Sequence, residues 1–440
     1  IYMQHGYLEE FVDLGKANDT LAKTAVQFVS GVKSKNDTDT FFRTEQPWYI
    51  GNQSIAMSYY GNNWYFSIAP KSFVEHYNKF QLNAMERTYS LRGLDNRTML
   101  NEVASTRLYA SNVLNDGLVP YGFILTGVLP RKDGTTQYLY KNRFFLPLGY
   151  TVNNWIPSDE YDKLGCIQKQ EALMQGVVLD KKDGEQTDTL QKHTLGLLLN
   201  SKKIDYSIKS MSGMTWENGK LYVTEENATM DISFNSPEKS ETYLNLEGIE
   251  VIDNKNDYQI CPVTSGVTKN RFVLMNKKKS AWYHNPDITI NLGYSYKERK
   301  ECSITIHDKG IYSLKDISII NQPMNCYPMQ AEMLRKDTLQ NVNITANTVK
   351  GDISLKRTKL MQFSIPYSNG WTAYVDGVKQ KIYRSNDMYM AIQIPKGSHD
   401  IVLKYKTVGI EAGAVSSVVG TVILFIYVFW QRKQRSRKKL

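Results

Sequence analysis

The densest group of side chains that could do chemistry is aromatic: Trp48, Tyr49, Tyr59, Tyr60, Trp64 and Tyr65 crowd around Gly61-Asn62-Asn63. A sugar ring needs such a surface, because its C–H face packs on an aromatic face while nearby amides and hydroxyls meet its rim. These six residues are therefore the expected carbohydrate-contacting surface, turned towards an acceptor. The chain holds 29 tyrosines, and half-buried strands use tyrosine just as freely, so sheet packing is the competing reading of the same cluster.

Signatures of catalysis and of metal binding are missing. His5, His76, His193, His284, His307 and His399 are dispersed and form neither HExxH nor a helical pair that could hold a metal. Cys166, Cys261, Cys302 and Cys326 show no CxxC spacing, which removes zinc ribbons and thioredoxin-like redox chemistry. An oxidising exterior permits a disulfide, and pairing of Cys302 with Cys326 or with Cys261 stays open. There is no GxSxG elbow, no P-loop and no GxGxxG after a strand. No catalytic residue, metal or cofactor site is assigned to this chain.

The elements that must position the aromatic cluster mix helix and strand. Asn18 to Val32 places Leu21, Ala25, Phe28 and Val29 on one helical face. FFRTEQ at 41–46 and NQSIAMSYY at 52–60 read as strands, and Gly61-Asn62-Asn63 closes the second as a turn. After Pro70, Phe73, Tyr77 and Phe80 recur at helical spacing. NRTMLNEV at 96–103 reads as a helix running into the strand-like RLYASNVL, and GFILTGVL and QYLYKNRFFLPLGYTV form a hairpin about Asp133-Gly134. Asp159 to Gln175 closes this mixed α/β part, 1–175, as a helix and linker.

From 176 the texture is all-β. GKLYVTE, ATMDISFN, TYLNLEGIEVI, ITINLGYSY and ECSITIHD alternate apolar with polar residues, as strands with one buried face should. An antiparallel sandwich over 176–328 is the economical fold. Met329 to Val342 reads as a helix leading a second β unit, 329–406. In that unit Asp376-Gly377 suits a two-residue hairpin turn, Trp371 packing in the sheet, and Pro366 a strand end. Asn142 and Arg143, between YLY and FFLPLGY, read as a turn or edge pair, with a hydrogen bond to a polar acceptor as the competing role.

Ala412 to Trp430 carries no charge, and as a helix it would be about 28 Å long, enough to cross a bilayer. This defines a transmembrane helix, 407–431, and a basic tail, 432–440. Arg432, Lys433, Arg435, Arg437, Lys438 and Lys439 in that tail belong on the cytoplasmic, anionic membrane surface, which leaves the bulk of the chain extracytoplasmic. Tyr427 and Trp430 at the inner end, and Tyr405 before the outer end, suit the water–lipid boundary. The net charge of +10 falls to +4 once the six tail cations are set aside, too balanced a surface for nucleic-acid binding. The chain opens Ile1-Tyr2, without a start methionine or signal sequence, so a further portion is expected upstream. The fold class is thus α+β: a mixed α/β part, antiparallel β-sandwich parts and one C-terminal transmembrane helix.

MQFSIPYSNGWTAYVDGVKQKIYRSNDMYMAIQIPKGSHDIVLKYK, from Met361, with Gly370, Trp371, Asp376 and Gly377 inside it, resembles the C-terminal signature of the YfhO family of bacterial polytopic membrane proteins. FFRTEQ, SYYGNNWYFSIAPKSFVEHYNKF, STRLYAS and YLYKNRFFLPLGY resemble that family's extracytoplasmic region, so the likeness runs over essentially the whole chain. The resemblance implies a glycosyltransferase of the C-type membrane fold, with a polyprenyl-phosphate-linked sugar as donor and a bacterial cell-surface glycopolymer such as lipoteichoic acid as acceptor. Its catalytic carboxylate is expected on an outer loop between early membrane helices, upstream of this chain. The implied partners are the lipid bilayer, the upstream transmembrane portion of the same protein, and the surface glycopolymer.

Two functions of different class fit these observations. In the first, the parent is a transferase and this chain shapes its cleft from outside. In the second, the chain is a non-catalytic carbohydrate-binding or scaffolding ectodomain. A transporter would need ionisable residues within membrane helices, and the one helix visible here has none.

Overall fold

The computed structural model describes residues 41–47, 54, 59–66, 69–83, 90–114, 116–130, 136–187, 191–192, 197–278 and 285–437. The helix expected at 18–32, the Asp133-Gly134 turn, Trp48 and Tyr49 lie outside them.

Strict alternation builds the central sandwich. Along Ala228–Ser236, residues Ala228, Met230, Ile232 and Phe234 point inward, and Cys261 and Val263, then Cys302, Ile304 and Ile306, do the same on strands Tyr258–Ser265 and Arg299–Ile306. These strands belong to an antiparallel five-stranded sheet. Facing it is a sheet in the order Lys202–Ile204, Asp316–Pro323, Ser240–Glu247, Ile288–Ser295, which contributes Leu244, Leu246, Ile290 and Ile319 to the same core.

The polar face of Ser240–Glu247 is buried too, contrary to the expectation of one wet face. Glu241, Tyr243 and Asn245 lie against the helices of the preceding part: Gln170 donates to the Tyr243 hydroxyl at 3.0 Å and Asn245 to Gln81 at 2.6 Å. Satisfied polar side chains make that contact, because a buried amide or carboxyl without a partner costs about 1–3 kcal/mol. All four cysteines are free, so neither open pairing of Cys302 is formed.

Three expected helices shift. Asp159–Gln175 splits into Ser158–Tyr161 and Cys166–Leu173 around a turn at 162–165, and the second piece is core rather than linker, with Ile167, Ala172 and Leu173 buried. The helix expected over 329–342 spans Tyr327–Arg335; Pro328 pre-sets its first turn, and the chain beyond it continues as the strand Gln340–Ile344 with Leu339 in the β core. The helix expected over 96–103 begins at Thr98, because Asp95 and Asn96 are left-handed, at φ +54° and +56°.

A seven-stranded sheet gathers strands from both ends of the chain, in the order Gln191–Lys192, Asn154–Pro157, Val177–Leu179, Tyr383–Ser385, Tyr389–Ile394, Lys359–Pro366, Gly149–Val152. It packs Met361, Phe363, Met390 and Ile392 onto Val349, Ile353, Ala373 and Leu403 of a five-stranded sheet running from Gln340 to Tyr405. In that second sheet Asp376 and Gly377 sit at φ +51° and +79° between the paired Val375 and Val378, the geometry a two-residue turn requires. The last strand, Gly397–Tyr405, is followed by the helix Ile410–Arg437. Ile410–Gln434 is long and apolar enough to cross a membrane, and its apolar stretch is not buried by any of the described residues.

Candidate functional site

The parallel pairing of Arg43–Glu45 with Thr106–Ser111 sets the site. Arg43 and Glu45 alternate with Thr44 along the strand, and each anchors one wall. The Arg43 guanidinium donates from Nη1 to the Ala104 carbonyl at 2.7 Å and to Ser364 Oγ at 3.1 Å, and from Nη2 to the Ser364 carbonyl at 2.7 Å. It also lies 4.9 Å from the centre of the Phe41 ring. Burial lowers its pKa from the usual arginine value, and no carboxylate among the described residues forms an ion pair with it. A half-buried cation held by carbonyl and hydroxyl oxygens keeps a net positive charge, because those partners are neutral.

Glu45 is fully buried behind the same wall. It accepts from Asn62 Nδ2 at 2.7 Å and from the Leu94 amide at 2.6 Å, and burial pushes its carboxyl up to about 7. Gly93 makes room for it: a Cβ there would stand 2.1 Å from Glu45 Oε1, and its φ of +96° suits glycine. Asn62 donates also to Thr106 Oγ1 at 2.8 Å, which fixes its amide. Gly61-Asn62-Asn63 is therefore no simple turn. Gly61 bridges to Thr44, and Asn63 opens the strand Asn63–Tyr65 paired with Ser90–Arg92.

In front of these residues opens a cleft of about 630 Å³. Arg43, Tyr59, Tyr60, Asn62, Asn63 and Trp64 line one side, and Pro366, Met388 and Tyr389 the other. Tyr59 is fixed by a hydrogen bond to Gln46 Oε1 at 2.9 Å, while Tyr60 stands 51% exposed with its ring 4.5 Å from Phe41. Trp64 is buried, stacked on Phe66 at 5.5 Å and edge-on to Phe73 at 6.0 Å. Three of the six expected sugar-contacting residues, Tyr59, Tyr60 and Trp64, thus meet at one cleft. Tyr65 is half-buried on the next position of the strand and does not line it. The described lining residues present one cation, amide donors, phenols and apolar side chains, and no carboxylate, cysteine or histidine is among them.

The other motif residues serve elsewhere. Asn142 is buried, donating to Glu102 at 2.7 Å and to the Thr106 carbonyl at 3.2 Å, whereas Arg143 is exposed. Trp371 packs on Tyr405 at 5.1 Å, and the Gly370 carbonyl accepts from the Lys406 amide at 2.9 Å, just before the terminal helix. Asp376 accepts from the Asp400 amide at 2.8 Å and lies 2.7 Å from His399 Nδ1. Arg432 and Lys433 stand exposed on the terminal helix, which also carries Arg435 and Arg437; Lys438 and Lys439 lie outside the described residues.

The family model described as "Bacterial membrane protein YfhO" matches residues 15–417. The chain belongs to the YfhO family. A relative named "Uncharacterized protein YfhO" from Bacillus subtilis (strain 168) is 23% identical over 419 residues, covering 91% of this chain and 44% of its own length. The YfhO-family chain therefore spans less than half of that relative. Among solved structures, the mycobacterial arabinofuranosyltransferase AftD aligns over 86% of this chain and 63% of its own, with 7% identity and a TM-score of 0.36. A carbohydrate-binding module from Cellvibrio mixtus lichenase 5A, in complex with cellotriose, aligns over 27% of this chain and 97% of its own, with 12% identity and a TM-score of 0.20.

Sequence reading missed what ties the cleft to the rest of this YfhO-family chain. The helix Thr98–Val103 is buried on all sides, with Glu102 accepting from Asn142 and from the Tyr327 hydroxyl at 2.8 Å, and burial pushing its carboxyl up to about 8. Arg97, fully buried, donates to the Phe80 and Thr289 carbonyls, each at 2.9 Å. The available signal was compositional: RTMLNEV carries too many polar residues for an apolar core helix and too few charges for a solvent-facing one.

Proposed function

We propose that this chain is the extracytoplasmic part of a polytopic membrane glycosyltransferase of the C-type fold. Its donor is a polyprenyl-phosphate-linked sugar and its product a modified cell-surface glycopolymer such as lipoteichoic acid. Family membership supports the membrane setting, and the basic residues after the apolar helix support an extracytoplasmic bulk with a cytoplasmic tail. The Arg43 cleft carries the reading. There FFRTEQ, SYYGNNWYF, STRLYAS and FSIP, stretches on which the family resemblance rests, converge on one guanidinium without a carboxylate partner among the described residues. A cation beside amides and phenols suits a saccharide with a phosphate attached. Chemistry would fall to a carboxylate in the rest of the protein.

The test is sugar transfer by the whole protein of which this chain is part. Transfer that is lost in Arg43→Ala and absent from the 440-residue chain alone is the expected result. Full transfer by Arg43→Ala, or transfer by the isolated chain, would sink the assignment. The second reading, a non-catalytic carbohydrate-binding or scaffolding ectodomain, draws on the lack of any carboxylate in the described cleft lining; it predicts saturable polymer binding and no transfer by the whole protein.

A further inference from the structure

A second surface, away from the Arg43 cleft, has the chemistry of a glycan platform. Four rings from three segments form a continuous ladder. Tyr294 meets Tyr296 at 4.9 Å, Tyr121 meets Tyr294 at 4.5 Å, and Phe144 stacks on Tyr121 at 5.9 Å. Tyr296 is 70% exposed, and Tyr294, Tyr121 and Phe144 are half-buried. The ladder is held from beneath: the Tyr121 amide donates to Thr98 Oγ1 at 2.8 Å, and Tyr327, whose hydroxyl is bound by Glu102, sets its edge against Phe144 at 5.2 Å. Rings fixed in this way lose little freedom when a ligand stacks on them.

Two cations flank the rings. The exposed Arg143 guanidinium lies 4.9 Å from the Phe144 centroid and 5.8 Å from that of Tyr121, and exposed Arg335 donates to the Arg143 carbonyl at 3.1 Å. Neither arginine pairs with a carboxylate among the described residues, and the hydroxyls of Tyr121, Tyr294 and Tyr296 make no hydrogen bond to described residues. An apolar protein partner would leave those three phenols and the Arg143 guanidinium without acceptors. A saccharide offers both a C–H face for the rings and hydroxyls for the phenols, and an acidic group on it would meet the guanidiniums.

We infer that Tyr121, Tyr294 and Tyr296, with Arg143 and Arg335, form a binding platform for an anionic glycan. The platform shares no residue with the described lining of the cleft, so it stands or falls independently of the transferase reading.

Titration of the 440-residue chain in detergent with mannuronate oligosaccharide, with maltoheptaose and with inorganic phosphate tests this, read by saturation-transfer NMR and calorimetry. Saturable binding of the mannuronate oligomer is expected, weakened about tenfold by Tyr296→Ala and by Arg143→Ala and unchanged by Lys209→Ala, whose side chain is 63% exposed and belongs to neither surface. Maltoheptaose should bind more weakly, and phosphate should not compete at equal concentration. No saturable mannuronate binding, binding indifferent to both platform substitutions, or full displacement by phosphate would each overturn the platform. Tyr296 is largely exposed, so its removal leaves the fold intact and a loss of binding can be attributed to the surface.

Discussion

Arg43 and Ser364 stand 321 positions apart, yet the Arg43 guanidinium donates to both the hydroxyl and the carbonyl of Ser364. Ser105 Oγ joins the same group, 2.7 Å from Ser364 Oγ. One planar fork thereby fastens a strand near the start of the described chain to one near its end. Lysine cannot reproduce that geometry, because its ammonium is a single point on a flexible stem. Arg43→Lys should lower stability by roughly 2 kcal/mol, measured by urea unfolding, while Ser364→Ala, which leaves the carbonyl in place, should cost about half as much. Equal stability of Arg43→Lys and the unaltered chain would show that the fork bears no load.

Glu45 and Glu102 make stability depend on pH in a stated direction. Burial raises both carboxyls, to about 7 and about 8, from an ordinary 4.5. Between the ordinary value and the raised one the folded protein holds protons that the unfolded chain has released, so stability falls as pH rises. The contribution is complete below about pH 4.5 and is lost progressively as the pH climbs through 7 and 8. Glu102→Gln mimics the protonated form. Relative to the unaltered chain it should gain roughly 2 kcal/mol or more between pH 5 and pH 9, seen as a flatter dependence of Tm on pH. Parallel Tm profiles would mean that Glu102 is ionised in the fold.

The turn at Asp376-Gly377 is a purely conformational prediction. Both residues lie at positive φ, and Asp376 also accepts from the Asp400 amide. Replacing the pair by Val-Val forces β-branched side chains into a left-handed backbone and removes that acceptor, at a cost of about 1–3 kcal/mol. Limited proteolysis should then cut within 371–405 before it cuts the central sandwich. An unchanged cleavage pattern and melting temperature would contradict the account.

How far the sequence spoke depended on the length scale of the interaction. Alternation in ATMDISFN and ECSITIHD placed Ile232, Cys302 and Ile304 inward, and the uncharged run before Arg432 emerged as a single long helix. Both are local patterns, set by period and length. TYLNLEG misled for a physical reason: its Tyr243 and Asn245, and Glu241 just before it, have the polarity of a solvent face but are buried against Gln170, Gln81 and Thr98. Polarity reports that a side chain needs hydrogen-bond partners, not whether water supplies them. The cleft was half legible for the same reason. The aromatic cluster around Gly61 was visible in one stretch, whereas Arg43, Pro366 and Tyr389 meet it through pairings of distant strands that no single window contains.

Orientation offers the last test, and it bears on the proposed setting more than on the fold. Cys166, Cys261 and Cys302 are buried, so in a Cys326→Ser background this chain presents no accessible native thiol, and any accessible cysteine elsewhere in the whole protein is replaced as well. A single cysteine can then be placed at Lys209, whose side chain is 63% exposed on the central sandwich, or at Lys433, exposed beyond the apolar helix. If six cations hold the tail at the anionic inner leaflet, a membrane-impermeant maleimide added to intact cells should label Lys209→Cys and should label Lys433→Cys only after permeabilisation. The helix is long enough to separate the two positions, since residues 410–434 rise about 37 Å along its axis. Labelling in the reverse order would place the Arg43 cleft and the tyrosine ladder in the cytoplasm, away from any surface polymer, and the transferase proposal could not survive it.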